Sequence, residues 1–339
     1  MYITGLGALG TFGRGTNALI SESEKLHTQI TNPLTDKYSV DSSILKDKVL
    51  SRKLRRADKF TKMAVLAAYD SLNDSGAFSD LSEINLDKTG LILTTAFGPH
   101  NTTFSFLDDI LEYGEANVSA IKFSHSVHNA AASYIALLLN ITGPTVTVTQ
   151  FKSPVQHALT LASCWLEDNV CDNVLVCCVD ERGAVFDIAS EYKLNISDTH
   201  TINPLNYSNN ATAVPSEGSL CFLLQNENKS HTPYCEISKI SFEDISTADA
   251  DIDLYIIGAD GIPSDESGYK KLLSMNKPLT AYTPVYGSML IGSAFDCAIG
   301  AIKLKNKNIP PVSSDISTIG CCKLDCNKNM SSIILKGVK

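Results

Sequence analysis

Apolar positions along the chain follow two different periods. Short runs rich in Val, Ile, Leu, Thr and Cys predict strands: "MYITGLGAL" (1–9), "TGLILTTA" (89–96), "TVTVTQF" (145–151), "NVLVCCVD" (173–180) and "LCFLLQN" (220–226). Between them, helical spacing runs over 57–75, 103–114, 127–140 and 154–169. This alternation predicts an α/β layered sheet. A second, shorter series follows, with "YCEISKISF" (234–242), "DLYIIGAD" (253–260), "LTAYTPV" (279–285), a helix over 289–304 and a closing strand "SSIILKGV". The two series repeat one plan, the second copy abbreviated, which divides the chain into halves at 1–230 and 231–339. Only about ten residues separate the first two strands of the second series, too few for a crossover helix, so those two are expected not to be parallel neighbours. Residues 196–216, rich in Asn, Ser, Thr and Pro, read as an ordered surface loop.

One stretch carries more than pattern: "TVTVTQFKSPVQHALTLASCWLED" (145–168). Thr145 to Thr149 predict a buried strand, Ser153 an N-cap, and Pro154 the first position of a helix. A sharp strand-to-helix bend favours a nucleophile, because backbone N–H groups and the positive helix end stabilise negative charge there. The residue at the bend is Lys152, whose cation that helix end disfavours. A lysine there is a Schiff-base amine if it sits in a desolvated pocket with an acid or base beside it. The preferred reading is a plug or surface amine where a nucleophile has been lost.

Composition narrows the classes. The 339 residues, 44% hydrophobic, can bury a large core. A net charge of −9 excludes nucleic acid as the main partner, and the one basic run, "KDKVLSRKLRR" (46–56), reads as a solvated surface. No run approaches a membrane span, and the N-terminus reads as a strand and glycine turn instead of a secretory leader, so the cytoplasm is the expected location. Cys177, Cys178, Cys221 and Cys297 lie in apolar runs as small core residues. The cluster "CCKLDC" (Cys321, Cys322, Cys326) lacks a second ligand pair, so no metal is expected. "GLGALG" (Gly5, Gly7, Gly10) has dinucleotide spacing but no acidic residue ending a second strand, so it reads as a glycine-lined turn packed under the core, and no cofactor is expected.

Five segments in order, "YITGLGALGTFGRG", "LRRADKFTKMAVLAAYDSLNDSG" (54–76), "HNAAASYIALLLNITGPTVTVTQFKSPVQHAL" (128–159), "DNVLVCCVDE" (172–181) and "EGSLCFLLQNE" (217–227), resemble the β-ketoacyl synthases of the thiolase fold. The resemblance implies a five-layered αβαβα architecture of two similar halves and dimerisation through the strand before the bend. In that family the nucleophilic cysteine stands nine residues after the glycine of a G-P pair, which from Gly143 is Lys152. The family's two histidine turns match "GADGIP" (258–263) and "GSMLIGSA" (287–294), placing Gly258 and Ser288 at the histidine positions. The last histidine in the chain is His231, ahead of both turns, so neither histidine of the family's triad exists. The family's C-terminal G-F-G-G turn is also missing.

A ketosynthase homologue without its triad resembles the chain length factors of type II polyketide systems, and "SVHNAAASY" (126–134) with the short second half resembles the partner subunit of aryl-polyene systems. Chain length factors usually carry glutamine at the cysteine position; here Gln150 stands two residues early. The resemblance implies a non-catalytic subunit paired with an active ketosynthase bearing a Cys-His-His triad, with acyl carrier protein docked mainly on that partner. Candidate tunnel-gating residues are Phe104, Phe106, Ile110, Tyr113 and Phe123, with Thr145, Thr147, Thr149 and Gln150 at the interface. The alternatives are an active acyltransferase or condensing enzyme using Lys152, and a homodimeric scaffold.

Overall fold

The computed structural model describes residues 1–28, 38–76, 86–194, 196, 201–207, 210–226, 233–243, 251–306 and 316–338. The first half comprises β1 (Tyr2–Gly10), β2 (Gly13–Arg14), α1 (Thr16–Thr28), α2 (Lys59–Asp74), β3 (Thr89–Thr95), α3 (His100–Tyr113), α4 (Ala120–Ser126), α5 (Ala130–Leu139), β4 (Thr145–Thr149), α6 (Pro154–Glu167), β5 (Asn173–Asp180), α7 (Ala184–Leu194) and β6 (Gly218–Gln225). The second comprises β7 (Cys235–Ser241), β8 (Leu254–Ile257), α8 (Glu266–Leu273), β9 (Leu279–Thr280), α9 (Thr283–Tyr286), α10 (Gly292–Lys305), β10 (Thr318–Leu324) and β11 (Met330–Lys336).

The predicted repetition is visible in the strand order. The first half runs β4-β3-β5-β6-β1, with β3 parallel to β4 and β5, and β6 antiparallel to β5 and β1. The second runs β9-β8-β10-β11-β7, with β8 parallel to β9 and β10, and β11 antiparallel to β10 and β7. Position by position, order and direction are the same. The two five-stranded parts meet where Tyr2 and Ile3 of β1 pair with Glu236 and Cys235 of β7. As expected, β7 and β8 are not neighbours. The boundary expected at 230/231 lies outside the described residues.

Side-chain alternation along the strands builds the layers. Leu91, Leu93, Leu175, Cys177, Cys221 and Leu223 face α2 and α5, while Ile92, Val174, Val176, Phe222 and Leu224 face the opposite way onto α6 and α10. Ile256, Ile319, Ile333 and Leu335 of the second half join that same central core. Tyr255, Ile257 and Leu324 then face α8 through Tyr269 and Leu272. The result is an αβαβα stack of the thiolase-like type. The central position explains α10, which is buried from Gly292 to Leu304 without a solvent face.

Several local expectations need correction. β4 is not a buried strand: it forms the open edge of the sheet, exposed at Thr145 and Thr149. The glycines of "GLGALG" lie within β1 and not in a turn. A Cβ at Gly7 would stand 1.9 Å from the Ala67 carbonyl oxygen, so α2 reaches the strand only over a bare backbone. Residues 211–217 are buried and not a surface loop, and Val214 is tied to Ser288. "LTAYTPV" yields a two-residue strand and then α9, because the Pro284 ring suits a first helical turn. β10 went unpredicted, since Gly320 and Lys323 interrupt its apolar pattern.

Candidate functional site: a cavity at the strand-to-helix bend

The bend after β4 forms as expected, but its residues have different roles. Ser153 lies in the left-handed region (φ 49°, ψ 51°) and makes no side-chain cap, while Pro154 opens α6. Lys152 points into solvent, and its backbone N–H reaches Gln150 Oε1 at 3.4 Å. Ser153, not Lys152, lines a small cavity that opens to solvent and encloses room for about one water, together with Phe151 and Gln156 from the first half and Ser293, Lys323 and Asp325 from the second.

Both expected histidine positions are occupied by other contacts. The Lys323 ammonium donates to the Gly258 carbonyl oxygen at 3.1 Å. A Cβ at Gly258 would meet Lys323 Cγ at 2.9 Å, so the lysine stem already fills the space a side chain there would need. Ser288 is engaged with the buried 211–217 segment: its backbone N–H donates to Val214 O (2.9 Å), and its hydroxyl accepts from Val214 N (3.1 Å). Where the family's G-F-G-G turn was expected, the turn between β10 and β11 is closed by Asp325, whose carboxylate accepts from the N–H groups of Asn327 (2.7 Å) and Asn329 (2.9 Å).

Two buried carboxyls complete the surroundings of Lys323. Asp296 on α10 accepts from the Tyr286 hydroxyl (2.8 Å), and burial pushes its pKa up to about 7 against the opposing pull of Lys323. Burial likewise raises Asp260, again offset first by Lys323. These partners, with Gln156 and Ser293, were not foreseen from sequence. The available signal was an aspartate inside the otherwise apolar run "GSAFDCAIGAIKLK".

Among the described residues, the cavity wall therefore carries an ammonium, a carboxylate, an amide and hydroxyls, but no imidazole and no thiol.

Beside the bend, Phe97 packs on Phe151 (5.3 Å) and Phe186 (4.6 Å), and the buried His100 ring stands 6.0 Å from Phe186. His100 Nδ1 lies 4.0 Å from Glu181 Oε1. Glu181 accepts from the Asn101 backbone N–H (2.8 Å), and burial raises its pKa to about 7. Burial lowers the pKa of His100.

The proposed tunnel residues gather on one surface. α4 packs on α3 and α5, and α5 packs on β4, so helices and edge strand are contiguous. Phe123 is 58% exposed, Phe104 and Tyr113 are also exposed, and Phe106 and Ile110 are half-buried. The Phe106 and Phe123 rings lie 5.5 Å apart. Gln150 is bound into the sheet end, its N–H donating to Thr95 O at 3.1 Å. Thr147 Oγ1 is buried without a partner.

Comparison with known proteins agrees with this architecture. A family model described as "Beta-ketoacyl synthase, N-terminal domain" matches residues 41–186, under half of the chain. No curated protein is similar to the chain. Among solved structures, a β-ketoacyl synthase from Burkholderia phymatum STM815 superimposes with a TM-score of 0.79 at 13% identity, covering 100% of this chain and 99% of that one. The ishigamide ketosynthase/chain length factor gives 0.76 at 16% identity over 100% and 99%. A complex of a type II polyketide synthase acyl-carrier protein with its ketosynthase bound to the hexaketide gives 0.76 at 12% identity over 99% of both chains. At these identities the likeness is one of fold.

Proposed function

We propose that this chain is a ketosynthase-like subunit without a working triad, which pairs with an active ketosynthase and shapes the tunnel that holds the growing acyl chain. The observation that carries this reading is Lys323 lying across Gly258, where the family needs a histidine. Condensation requires an acyl-thioester nucleophile and groups that stabilise an enolate. Lys152 in solvent and Ser288 bonded to Val214 support a chain that does not assemble these groups itself.

The open edge of β4 and the apolar surface of α3 and α4 form the docking face in this reading. An unpaired edge strand flanked by exposed Phe104, Leu107, Ile121 and Phe123 is a liability for an isolated chain and an asset for an obligate subunit. The solved ketosynthase/chain length factor of the same fold supports a subunit of this kind. The partner supplies the Cys-His-His triad, acyl carrier protein docks chiefly on it, and the pair works in the cytoplasm. The aryl-polyene type of system is the finer assignment, resting on "SVHNAAASY" and the short second half, with the two halves divided near 230.

The residues of the basic run point their charges outward, with Leu50 and Leu54 buried beneath Arg52, Lys53, Arg55 and Arg56. That patch is suited to an acidic carrier protein on this −9 chain.

The test is to express a tagged copy in its native cells and weigh what accompanies it. A one-to-one companion with an intact triad is expected. A lone homodimer would overturn pairing in favour of a scaffold, and borohydride trapping of an adduct on Lys152 would overturn inactivity.

A further inference from the structure

The cavity at the bend contains more polar capacity than the fold uses. Gln156 is 1% exposed and lines the cavity, yet neither its Nε2 nor its Oε1 has a hydrogen-bond partner. Ser293 is equally buried, lines the same cavity from α10, and its hydroxyl is also unpartnered. A buried amide or hydroxyl left unpaired is destabilising, so two of them lining one space mark a place where a polar group belongs. Both come from different halves of the fold, which makes the juxtaposition a product of the tertiary structure and not of a local turn.

The charge of that group follows from its neighbours. The wall includes the Lys323 side chain and the first turn of α6, a helix of 14 residues whose leading N–H groups carry partial positive charge. The acidic groups nearby are largely engaged. Asp325, which also lines the cavity, is bound to the N–H groups of its own turn, Asp296 accepts from Tyr286 through Oδ1 while its Oδ2 is unpartnered, and Asp260 and Asp296 both feel the Lys323 charge. A cation would meet the ammonium and the helix end. An oxygen acceptor meets donors from Gln156, Ser293, Ser153 and Lys323.

Size sets the remainder. The enclosed space has room for about one water-sized group, such as a single carboxylate oxygen, and the rest is open to solvent. Phe151, half exposed, flanks it with an apolar ring. From this arrangement we infer that the cavity is a binding site for the carboxylate head of a small aliphatic acid, held by Gln156, Ser293 and Lys323, with its apolar tail directed past Phe151. This inference stands on the cavity alone and does not depend on the pairing proposed above.

The test uses the protein as purified, with its companion if one is present, titrated with sodium acetate and sodium butyrate against sodium chloride at equal ionic strength. Thermal midpoint and line broadening of ¹³C-carboxyl-labelled butyrate are read together. Saturable broadening is expected, with a midpoint rise of about 2 °C at tenfold excess over Kd, larger for butyrate than acetate. Both effects should vanish in Gln156→Leu and fall at least fivefold in Lys323→Met. Ser293→Ala, which removes one hydroxyl, serves if Gln156→Leu does not fold. Acids that behave as chloride does, or an unchanged response in the variants, would overturn the site and leave it as a water pocket. Loss of pairing in the native-cell experiment would leave these readouts untouched.

Discussion

The Lys323 ammonium lies 3.1 Å from the carbonyl oxygen of Gly258, and its stem occupies the volume that any side chain at 258 would enter. The two residues are thus a matched pair from β10 and the loop after β8.

That match predicts strong coupling. Gly258→Ala should destabilise the protein by about 1 to 3 kcal/mol, because the new Cβ overlaps Lys323 Cγ. Combining it with Lys323→Ala should recover most of that loss, a coupling above about 0.5 kcal/mol in a double-mutant cycle by urea denaturation. Simple additivity would mean that the lysine does not fill the position.

Adding charge to the open edge separates docking from folding. Thr145 and Thr149 are exposed, so Thr145→Lys with Thr149→Lys should leave the midpoint of unfolding nearly unchanged, within about 0.5 kcal/mol. The same double variant should abolish recovery of the companion in a pull-down. Undiminished recovery would place the interface elsewhere.

Phe123 contributes little to the chain's own core, being 58% exposed with one ring neighbour in Phe106. Phe123→Ala should accordingly cost little stability while lengthening the product of the paired ketosynthase, measured by mass spectrometry of the acyl chains. A product distribution identical to that of the parent would remove Phe123 from the tunnel.

Glu181 gives a pH signature. Its pKa is raised in the folded chain, to about 7 from an ordinary 4.5, so the folded state holds its proton more tightly than the unfolded state. The contribution is therefore full below about pH 4.5 and declines as pH rises toward 7, by roughly 3 kcal/mol in total at 1.36 kcal/mol per pH unit. Glu181→Gln keeps an acceptor for the Asn101 N–H and should flatten that decline. The difference in unfolding free energy between parent and variant, followed from pH 5 to 8, measures it. Parallel curves would show that Glu181 titrates normally.

Much of the architecture was legible because strand and helix periods are local. β3, β5 and β6 sit where Val, Ile, Leu and Cys run together, and α6 begins at the Pro154 that marks it. What escaped depends on partners distant in sequence. The TVTVT pattern of β4 is that of a strand whatever covers it, so its exposure became visible only once β4 took the last place in the sheet. Lys323 looked like an interruption in a cysteine-rich run, because Gly258, the residue that gives it a role, is 65 positions away. Ser153 was expected to cap a helix on the strength of residue type, but its left-handed backbone directs the residue to the cavity instead. Lys152 drew attention by its position in the sequence, although the neighbouring serine is the one that faces the second half of the fold.

β1 pairs along its whole length with β6, so Tyr2 opposes Gln225 and Gly10 opposes Gly218. During synthesis the first strand must wait for a partner made more than two hundred residues later, roughly 10 to 40 seconds at ordinary elongation rates. Until then its apolar residues and bare glycines lack a sheet neighbour on that side, and α2, already made, is the surface available to shelter them. Expression at a slowed elongation rate should therefore be hardest on variants that loosen the close seating of Ala67 over Gly7.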